Sequence, residues 1–208
     1  MPAPFKTEAV VLRSIRYGEA DRILHLYSRD RGRVGAIAKG ARRVKSRLGG
    51  RLEPLSRVNL ILREGRGDLC TVTGVDTVDA HPGLRERWAS LQRATQACES
   101  VLRLLDSAEP NQPAYNLLCR ELQLLDRDPA AATRAHALAF RLKLLLAARN
   151  VVYEEINLAK DPVGRAALVE RTGQMTFPQI VIGERSIGGF RELLEADRDG
   201  TLQTLLAA

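Results

Sequence analysis

A short stretch between residues 38 and 50 concentrates the most distinctive chemistry of this sequence. It reads Ala38-Lys-Gly-Ala-Arg-Arg-Val-Lys-Ser-Arg-Leu-Gly-Gly50 and places five cations within nine positions, with glycines on both sides and no acid. The cations are Lys39, Arg42, Arg43, Lys45 and Arg47. Clusters of this density attract phosphate backbones through Coulomb energy and counterion release, largely independent of base sequence. The stretch therefore predicts nucleic-acid binding, with a solvated loop that serves only solubility as the alternative.

The basic residues are concentrated in the first part of the chain. The formal net charge is +7 over 208 residues, with 27% charged and 45% hydrophobic residues, which is ordinary for a folded protein. Residues 1–80 carry 16 Lys+Arg against 9 Asp+Glu, whereas residues 151–208 carry 6 against 9. The charge excess is therefore a local patch and does not extend over the whole chain.

The elements that position this patch are predicted to be β-strands. Alternating or β-branched segments occur at 8–17, 22–27, 33–38, 55–62 and 69–73, and turns with glycine separate several of them, including Gly65-Arg-Gly67. Five short strands without a helical period between them favour a small barrel or sandwich. Tyr17 and Tyr27 are the aromatic residues that could stack on bases there, and either could equally belong to the core.

The middle of the chain is predicted to be helical. Apolar residues recur at three- and four-residue steps from Trp88 to Leu105 and again from Tyr115 to Leu125. Asp128-Pro129 opens a third, alanine-rich helix from about Ala130 to Arg149. We expect a short helical domain packed on the β module.

Several linked motifs in the first 150 residues resemble the bacterial recombination mediator family RecO. They are Thr7-Glu-Ala-Val-Val-Leu12, Tyr17-Gly-Glu-Ala-Asp-Arg-Ile-Leu24, Ala38-Lys-Gly-Ala-Arg-Arg43, Leu52-Glu-Pro-Leu55 and Arg66-Gly-Asp-Leu69. The resemblance implies an OB-fold over 1–80 and a helical domain over 81–149, truncated relative to the family and without its CxxC-bearing zinc element.

The same resemblance implies a binding protein for DNA repair and recombination. Such a protein binds and anneals single-stranded DNA and, with RecR, helps RecA to displace the single-strand binding protein. By resemblance, the five cations of the 39–47 loop would contact DNA phosphates. The family has neither a nucleophile nor a metal-driven reaction, so we predict no enzymatic activity from this part.

From residue 150 the pattern changes to α/β. A strand is predicted over Val151–Asn157, a helix over 162–171, strands over 177–183 and 185–187, and helices over 190–197 and 200–207. The motifs Tyr153-Glu-Glu-Ile-Asn157, Val169-Glu-Arg-Thr-Gly-Gln174, Thr176-Phe-Pro-Gln-Ile-Val-Ile-Gly183 and Gly188-Gly-Phe-Arg-Glu-Leu193 resemble the later half of glutaredoxin. The whole chain is thus expected to be a multi-part α+β protein that ends in a partial thioredoxin-like segment over 150–208.

The glutaredoxin resemblance implies a cis proline and a surface that could bind glutathione as a ligand. The implied contact residues are Gln174, Phe177, Pro178, Gly189, Phe190 and Arg191. Redox activity is not expected, because the position of the family's CPYC motif falls on His136-Ala-Leu-Ala139, which has no cysteine. The helix from Phe140 to Arg149 could replace the first glutaredoxin helix.

No other residues combine into a recognisable site. Cys70, Cys98 and Cys119 are widely spaced, and the three histidines have no metal-ligand neighbours, so no metal and no resident cofactor are predicted. The sequence has no apolar run of membrane-spanning length and a polar start, which predict a cytoplasmic protein without membrane contact. Three alternatives stay open. They are a DNA-binding mediator, a glutaredoxin-type oxidoreductase or catalytically inactive glutathione-binding module, and a fusion of two incomplete genes.

Overall fold

The computed structural model of the protein describes residues 3–65 and 67–207. The chain divides into two compact units, Met1–Ala132 and Thr133–Ala208. The sequence places a domain boundary near residue 150, so the observed division lies earlier and assigns the last helix of the expected helical domain to the second unit. We describe each unit separately.

Five strands form a closed barrel in the first unit. They are β1 (Phe5–Tyr17), β2 (Asp21–Ser28), β3 (Gly32–Ala38), β4 (Arg57–Arg63) and β5 (Cys70–Asp79). Their order is β1-β2-β3-β5-β4, and every pairing is antiparallel except the short parallel contact between β3 and β5. This is the closed five-stranded architecture of an OB-like barrel, as the sequence predicts.

Strand alternation explains how the barrel encloses its core. In β4, Val58, Leu60 and Leu62 are almost fully buried, while the residues between them are exposed. Leu24 and Leu26 of β2 point to the same interior, because successive side chains of a strand face opposite sides. The inward set therefore forms one apolar core, and the outward set is free to meet helices, solvent or a ligand.

Three helices follow the barrel within the first unit. They are α1 (Pro82–Glu86), α2 (Trp88–Leu104) and α3 (Gln112–Arg127), and a short 3-10 turn follows at Pro129–Ala131. The side chain of Asn111 caps α3 by accepting a hydrogen bond from the Ala114 amide at 2.9 Å. Leu118, Leu122 and Leu125 form the buried stripe of α3, at the three- and four-residue spacing seen in the sequence.

A polar cluster joins α3 to the barrel. The Tyr115 hydroxyl donates to Glu8 Oε1 of β1 at 2.8 Å, and the Arg57 guanidinium lies 2.6 Å from the same oxygen. The Tyr115 ring also lies near Tyr27 of β2, with 6.4 Å between ring centroids. The helices thus cover the part of the outer barrel surface where Tyr27 lies.

Within residues 133–207 the second unit contains four helices and one small sheet. Its elements are α4 (Arg134–Ala148), α5 (Pro162–Thr172), β6 (Ile180–Ile182), β7 (Arg185–Gly188), α6 (Phe190–Arg198) and α7 (Thr201–Ala207). α4 begins four residues later than predicted, where the Thr133 hydroxyl accepts a hydrogen bond from the His136 amide at 3.1 Å. Strands β6 and β7 pair in antiparallel fashion, and α4 packs against α6.

One strand prediction in this unit is wrong. Residues 151–158 adopt no regular secondary structure, although the sequence predicts a strand over Val151–Asn157. The β-branched composition of this segment favours extended backbone, but a strand also needs a partner with which to form hydrogen bonds. Val152 and Ile156 are accordingly 97% and 71% exposed. Among the described residues, β6 pairs only with β7.

Candidate nucleic-acid interface

The basic loop between β3 and β4 is held by apolar anchors on both sides of its cations. Ala41 and Leu52 are 5% and 2% exposed and belong to the barrel core, and Leu48 packs against that core. Burial of these side chains supplies the hydrophobic free energy that orders the loop backbone. The cationic segment is therefore a fixed part of the barrel surface.

Hydrogen bonds also attach the loop to the turn between β1 and β2. The Gly40 amide donates to Asp21 Oδ1 at 2.7 Å, and the Arg42 amide donates to the Ala20 carbonyl at 2.8 Å. The Arg42 side chain reaches the Gly18 carbonyl at 3.3 Å. Gly40 has φ +65°, a left-handed conformation that favours glycine at this tight point. The loop and the β1–β2 turn thus form one continuous surface.

The five predicted DNA-contacting residues are all solvent-exposed. They are Lys39, Arg42, Arg43, Lys45 and Arg47. Across 3–65 and 67–207, none of these five side chains forms an ion pair with a carboxylate. Their charge is therefore not neutralised within the fold, and they form a positive surface to which an anionic backbone can bind.

Other cations near the loop in sequence have structural roles. Arg57 pairs with Glu8, Arg33 donates to the Leu102 carbonyl at 3.4 Å, and Arg51 donates to the Val75 carbonyl at 3.2 Å. The sequence alone does not distinguish these three residues from the loop cations, because the bonding partner of each lies far away along the chain. Of the five loop cations, Arg42 also reaches a backbone carbonyl, that of Gly18, so the distinction that the structure makes is the absence of a carboxylate partner among the described residues.

The two tyrosines considered as base-stacking residues differ in exposure. Tyr27 is 1% exposed, and its burial raises the pKa of its hydroxyl to about 12. Tyr17 is 54% exposed at the end of β1. It pairs across the strands with Asp21, whose carboxylate accepts a hydrogen bond from the Gly40 amide of the loop. Only Tyr17 of the two offers a ring face to a ligand.

Two of the three histidines lie in the barrel or directly after it, on β2 and between β5 and α1. His81 is buried, and its Nδ1 lies 2.9 Å from the Leu55 carbonyl, which indicates a structural role. His25 lies on β2, where burial and the charges of Arg33 and Arg13 lower its pKa. No group of three His, Cys, Asp or Glu residues that could hold a metal ion occurs in the described part of the chain.

None of the three cysteines is activated as a nucleophile. Burial raises the pKa of Cys70 and Cys119, and it raises the pKa of Cys98 to about 12. A thiol with raised pKa holds its proton at neutral pH, and the thiolate is the species that attacks disulfides.

We therefore expect slow labelling of the native thiols by a disulfide reagent at pH 8. The thiolate fraction of Cys98 at that pH is roughly 1000-fold smaller than at its ordinary pKa of 9.0. Reaction kinetics in native buffer and in denaturant test this, because unfolding removes the burial. A cysteine that reacts faster in the native protein than in the unfolded chain would contradict it.

The residues of the implied glutathione surface lie around β6, β7 and the start of α6. The Phe177–Pro178 peptide is cis, as the resemblance implies. The Gly189 amide donates to Glu192 Oε2 at 2.8 Å, and the backbone amides of Glu192 and Gly189 lower the pKa of this carboxyl. The helix-start amide expected to receive a ligand carboxylate is thus bonded to the helix's own side chain.

The other residues of this surface are differently placed. Phe190 is 8% exposed and lies beneath the Arg141 guanidinium, 4.6 Å from the ring centroid. Gln174 accepts a hydrogen bond from Gln179 at 2.9 Å. Phe177 and Arg191 are exposed. Of these four residues, Phe190 is thus buried, whereas the other three are exposed.

A helix with the length and hydrophobicity of a membrane span does not occur among the described residues. Arg66, which belongs to the Arg66–Leu69 motif and to the predicted turn at 65–67, lies outside the described residues.

Two known protein families match two separate parts of the chain. Residues 1–81 match the family described as Recombination protein O N terminal, and residues 141–187 match the family described as Glutaredoxin. The second match begins within α4, the helix that the sequence suggests as a replacement for the first glutaredoxin helix. The amino-terminal part is therefore RecO-like, and the carboxy-terminal part is glutaredoxin-like.

Curated relatives match the RecO-like part. The DNA repair protein RecO of Rubrobacter xylanophilus is 44% identical over 142 residues, which cover 68% of this chain and 56% of that protein. Its counterpart in Bifidobacterium animalis subsp. lactis is 43% identical over 65% of this chain and 59% of its own length. The DNA repair protein RecO of Geobacter sulfurreducens is 36% identical over 68% of this chain and 61% of its own length. The chain spans somewhat more than half the length of these relatives.

Proposed function

We propose that this protein acts in DNA repair and recombination as a RecO-type mediator that binds single-stranded DNA through its basic loop. The observation that carries the proposal is the loop itself. Its five exposed cations have no carboxylate partner in the described part of the chain, and buried anchors hold the loop on a closed OB-like barrel. Lys39, Arg42, Arg43, Lys45 and Arg47 contact phosphates in this proposal. The names of the matched relatives support it.

The proposal includes the partners of the resembled family. Bound single strands would be annealed to their complements, and RecR and RecA would act with the protein in displacing the single-strand binding protein. The role is that of a binding protein without a catalytic residue, located with DNA in the bacterial cytoplasm.

A fluorescence titration with a labelled single-stranded oligonucleotide over a salt series tests the function. We expect binding at low salt that weakens steadily as salt rises, because phosphate contacts release counterions. Faster pairing of complementary strands in the presence of the protein tests the annealing step. Absence of binding at low salt would contradict the whole proposal, and binding without annealing would contradict its mediator part.

Glutathione binding by the second unit is the alternative function. The exposed Phe177 beside a cis proline supports it, whereas the Gly189–Glu192 bond occupies the amide that a ligand carboxylate would need. Calorimetric titration of the protein with glutathione tests this alternative. A saturable heat of binding would support it, and no heat of binding would contradict it.

A further inference from the structure

The two-stranded sheet of the second unit has a free edge at β6. This strand consists of Ile180, Val181 and Ile182, and its antiparallel partner is β7. Across residues 133–207, the backbone groups on the other edge of β6 have no hydrogen-bond partner. Two strands alone are marginally stable in water, so a third strand at this edge would stabilise the sheet.

The composition of β6 leaves this edge open to another strand. β6 contains neither a charged residue nor a proline, which are the residues that often keep an edge strand from pairing. An uninterrupted run of apolar β-branched residues is typical of a strand with a neighbour on both sides. The edge strand of this sheet therefore has the composition of an inner strand.

Residues 152–156 are a second unpaired element of the same unit. Val, Tyr and Ile favour a strand here, yet the backbone of this segment has no hydrogen-bond partner among the described residues. Val152 is 97% exposed and Ile156 is 71% exposed, whereas Glu155 forms an ion pair with Lys143 of α4 at 2.6 Å. One side of the segment is thus tied to α4, and its apolar side chains face solvent.

The segment and the β6 edge do not pair within one copy of the chain. The Val151 amide donates to the Leu146 carbonyl at the end of α4 at 2.9 Å, and α5 begins at Pro162, so helices fix both ends of the segment. The Glu155–Lys143 ion pair holds its middle. Each copy of the chain therefore has an unpaired segment and an unpaired strand edge.

We propose that the second unit is a dimerisation module in which residues 152–156 of one copy add as a strand to the free edge of β6 in a second copy. The exchange is reciprocal, because each copy supplies both a segment and an edge, and a twofold axis relates the two contacts. Main-chain hydrogen bonds provide the affinity in this mode of association. The inference goes beyond the proposed function, since it involves no residue of the basic loop.

Charge favours a second copy as the occupant of the edge. Residues 133–208 carry 10 Lys+Arg against 9 Asp+Glu, so two second units do not repel each other through net charge. Glu154 of the segment is exposed, and so is Arg185 of β7. The exposed Arg171 side chain donates to the Gly183 carbonyl, directly after β6, at 2.6 Å. An acidic segment thus meets an edge with cations beside it.

Sedimentation equilibrium of the full-length protein at micromolar concentrations measures the association. The wild type should have twice the 23.0 kDa mass of one chain. The variant Val152→Lys, Ile156→Lys should be a monomer, with the dissociation constant of the dimer raised by roughly 100-fold, because lysines on a strand oppose edge pairing. Both side chains are exposed in a single copy, so their replacement should leave its fold unchanged.

The variant Val163→Lys, Leu206→Lys is the matched control. Val163 and Leu206 are exposed on α5 and α7 of the same unit, and their replacement changes the net charge equally. This variant should remain a dimer, and circular dichroism spectra confirm that both variants are folded. A monomeric wild type would overturn the proposal. Equal dissociation constants in the wild type and the segment variant, or equal weakening in the two variants, would also overturn it.

Crosslinking tests which elements meet, and it does not depend on the folding of the segment variant. One protein carries Glu154→Cys and another carries Val181→Cys, at the centres of the segment and of β6. A short thiol crosslinker should join the two proteins in a mixture, because opposed residues of adjacent strands have Cβ atoms about 5 Å apart. The wild type, whose native thiols have raised pKa values, is the blank. A dimer that gives no product joining the two variants, as expected if another face associates, would overturn the proposed contact.

Discussion

Replacement of Arg42, Arg43 and Lys45 by Ala is expected to weaken the binding of single-stranded DNA by roughly 100-fold at about 0.1 M salt. Each phosphate contact to a single strand contributes about 0.7 to the slope of log K against log salt, so three lost contacts account for this factor. The three side chains are exposed and form no ion pair within the described residues, so their removal should leave the barrel folded. Equilibrium titration with a labelled oligonucleotide measures the loss.

A control with the same loss of net charge separates local contact from general attraction. Arg103, Arg120 and Arg127 are exposed on α2 and α3 of the same unit. Their combined replacement by Ala should reduce affinity much less, because screening weakens charges more than about 8–10 Å from the bound strand. Equal losses for the two triple variants would show that overall charge, and not the loop, determines binding.

Glu8→Ala is expected to reduce the free energy of unfolding by about 2–3 kcal/mol. The Glu8 carboxylate accepts a hydrogen bond from the Tyr115 hydroxyl and forms an ion pair with Arg57. Loss of this carboxylate leaves the hydroxyl and the guanidinium without their partner where the barrel meets α3. Hydrogen bonds to charged groups contribute more than neutral ones, and a half-buried cation without its partner adds a desolvation cost. Chemical denaturation followed by circular dichroism measures the change.

Tyr115→Phe provides the comparison for this cluster. It removes the hydrogen bond of the hydroxyl to Glu8 and the weaker one to Cys119, and it keeps the ring beside Tyr27, so the expected loss is about 1 kcal/mol. Neither substitution touches the loop, and DNA affinity of the folded variants should match that of the wild type. A Glu8→Ala protein as stable as the wild type would show that the cluster does not stabilise the joining of barrel and helices.

Local patterns in the sequence are sufficient to predict the five strands as a small barrel or sandwich, and the family resemblance selects the barrel. The alternation of Val58, Leu60 and Leu62 fixes the inner face of β4, and turns containing Gly18 and Gly32 separate the first three strands. Both features depend on residues that are close together along the chain, so both can be predicted from the sequence alone. The density of cations between residues 39 and 47 is local in the same sense.

Features that depend on distant contacts could not be predicted. Which of Tyr17 and Tyr27 has an exposed ring depends on where α3 packs. The charge of Arg57 is neutralised by Glu8, which lies 49 positions earlier in the chain. The segment Val151–Asn157 has the composition of a strand, but strand formation also requires a partner edge.

The salt dependence of oligonucleotide binding tests the central claim most directly. The slope of log K against log salt should be negative for the wild type and smaller in magnitude by about 2 for the Arg42→Ala, Arg43→Ala, Lys45→Ala variant. Such a difference means that these three side chains contact phosphates. Identical slopes for the two proteins, or no binding by the wild type at low salt, would contradict the assignment of the basic loop as the DNA-binding site.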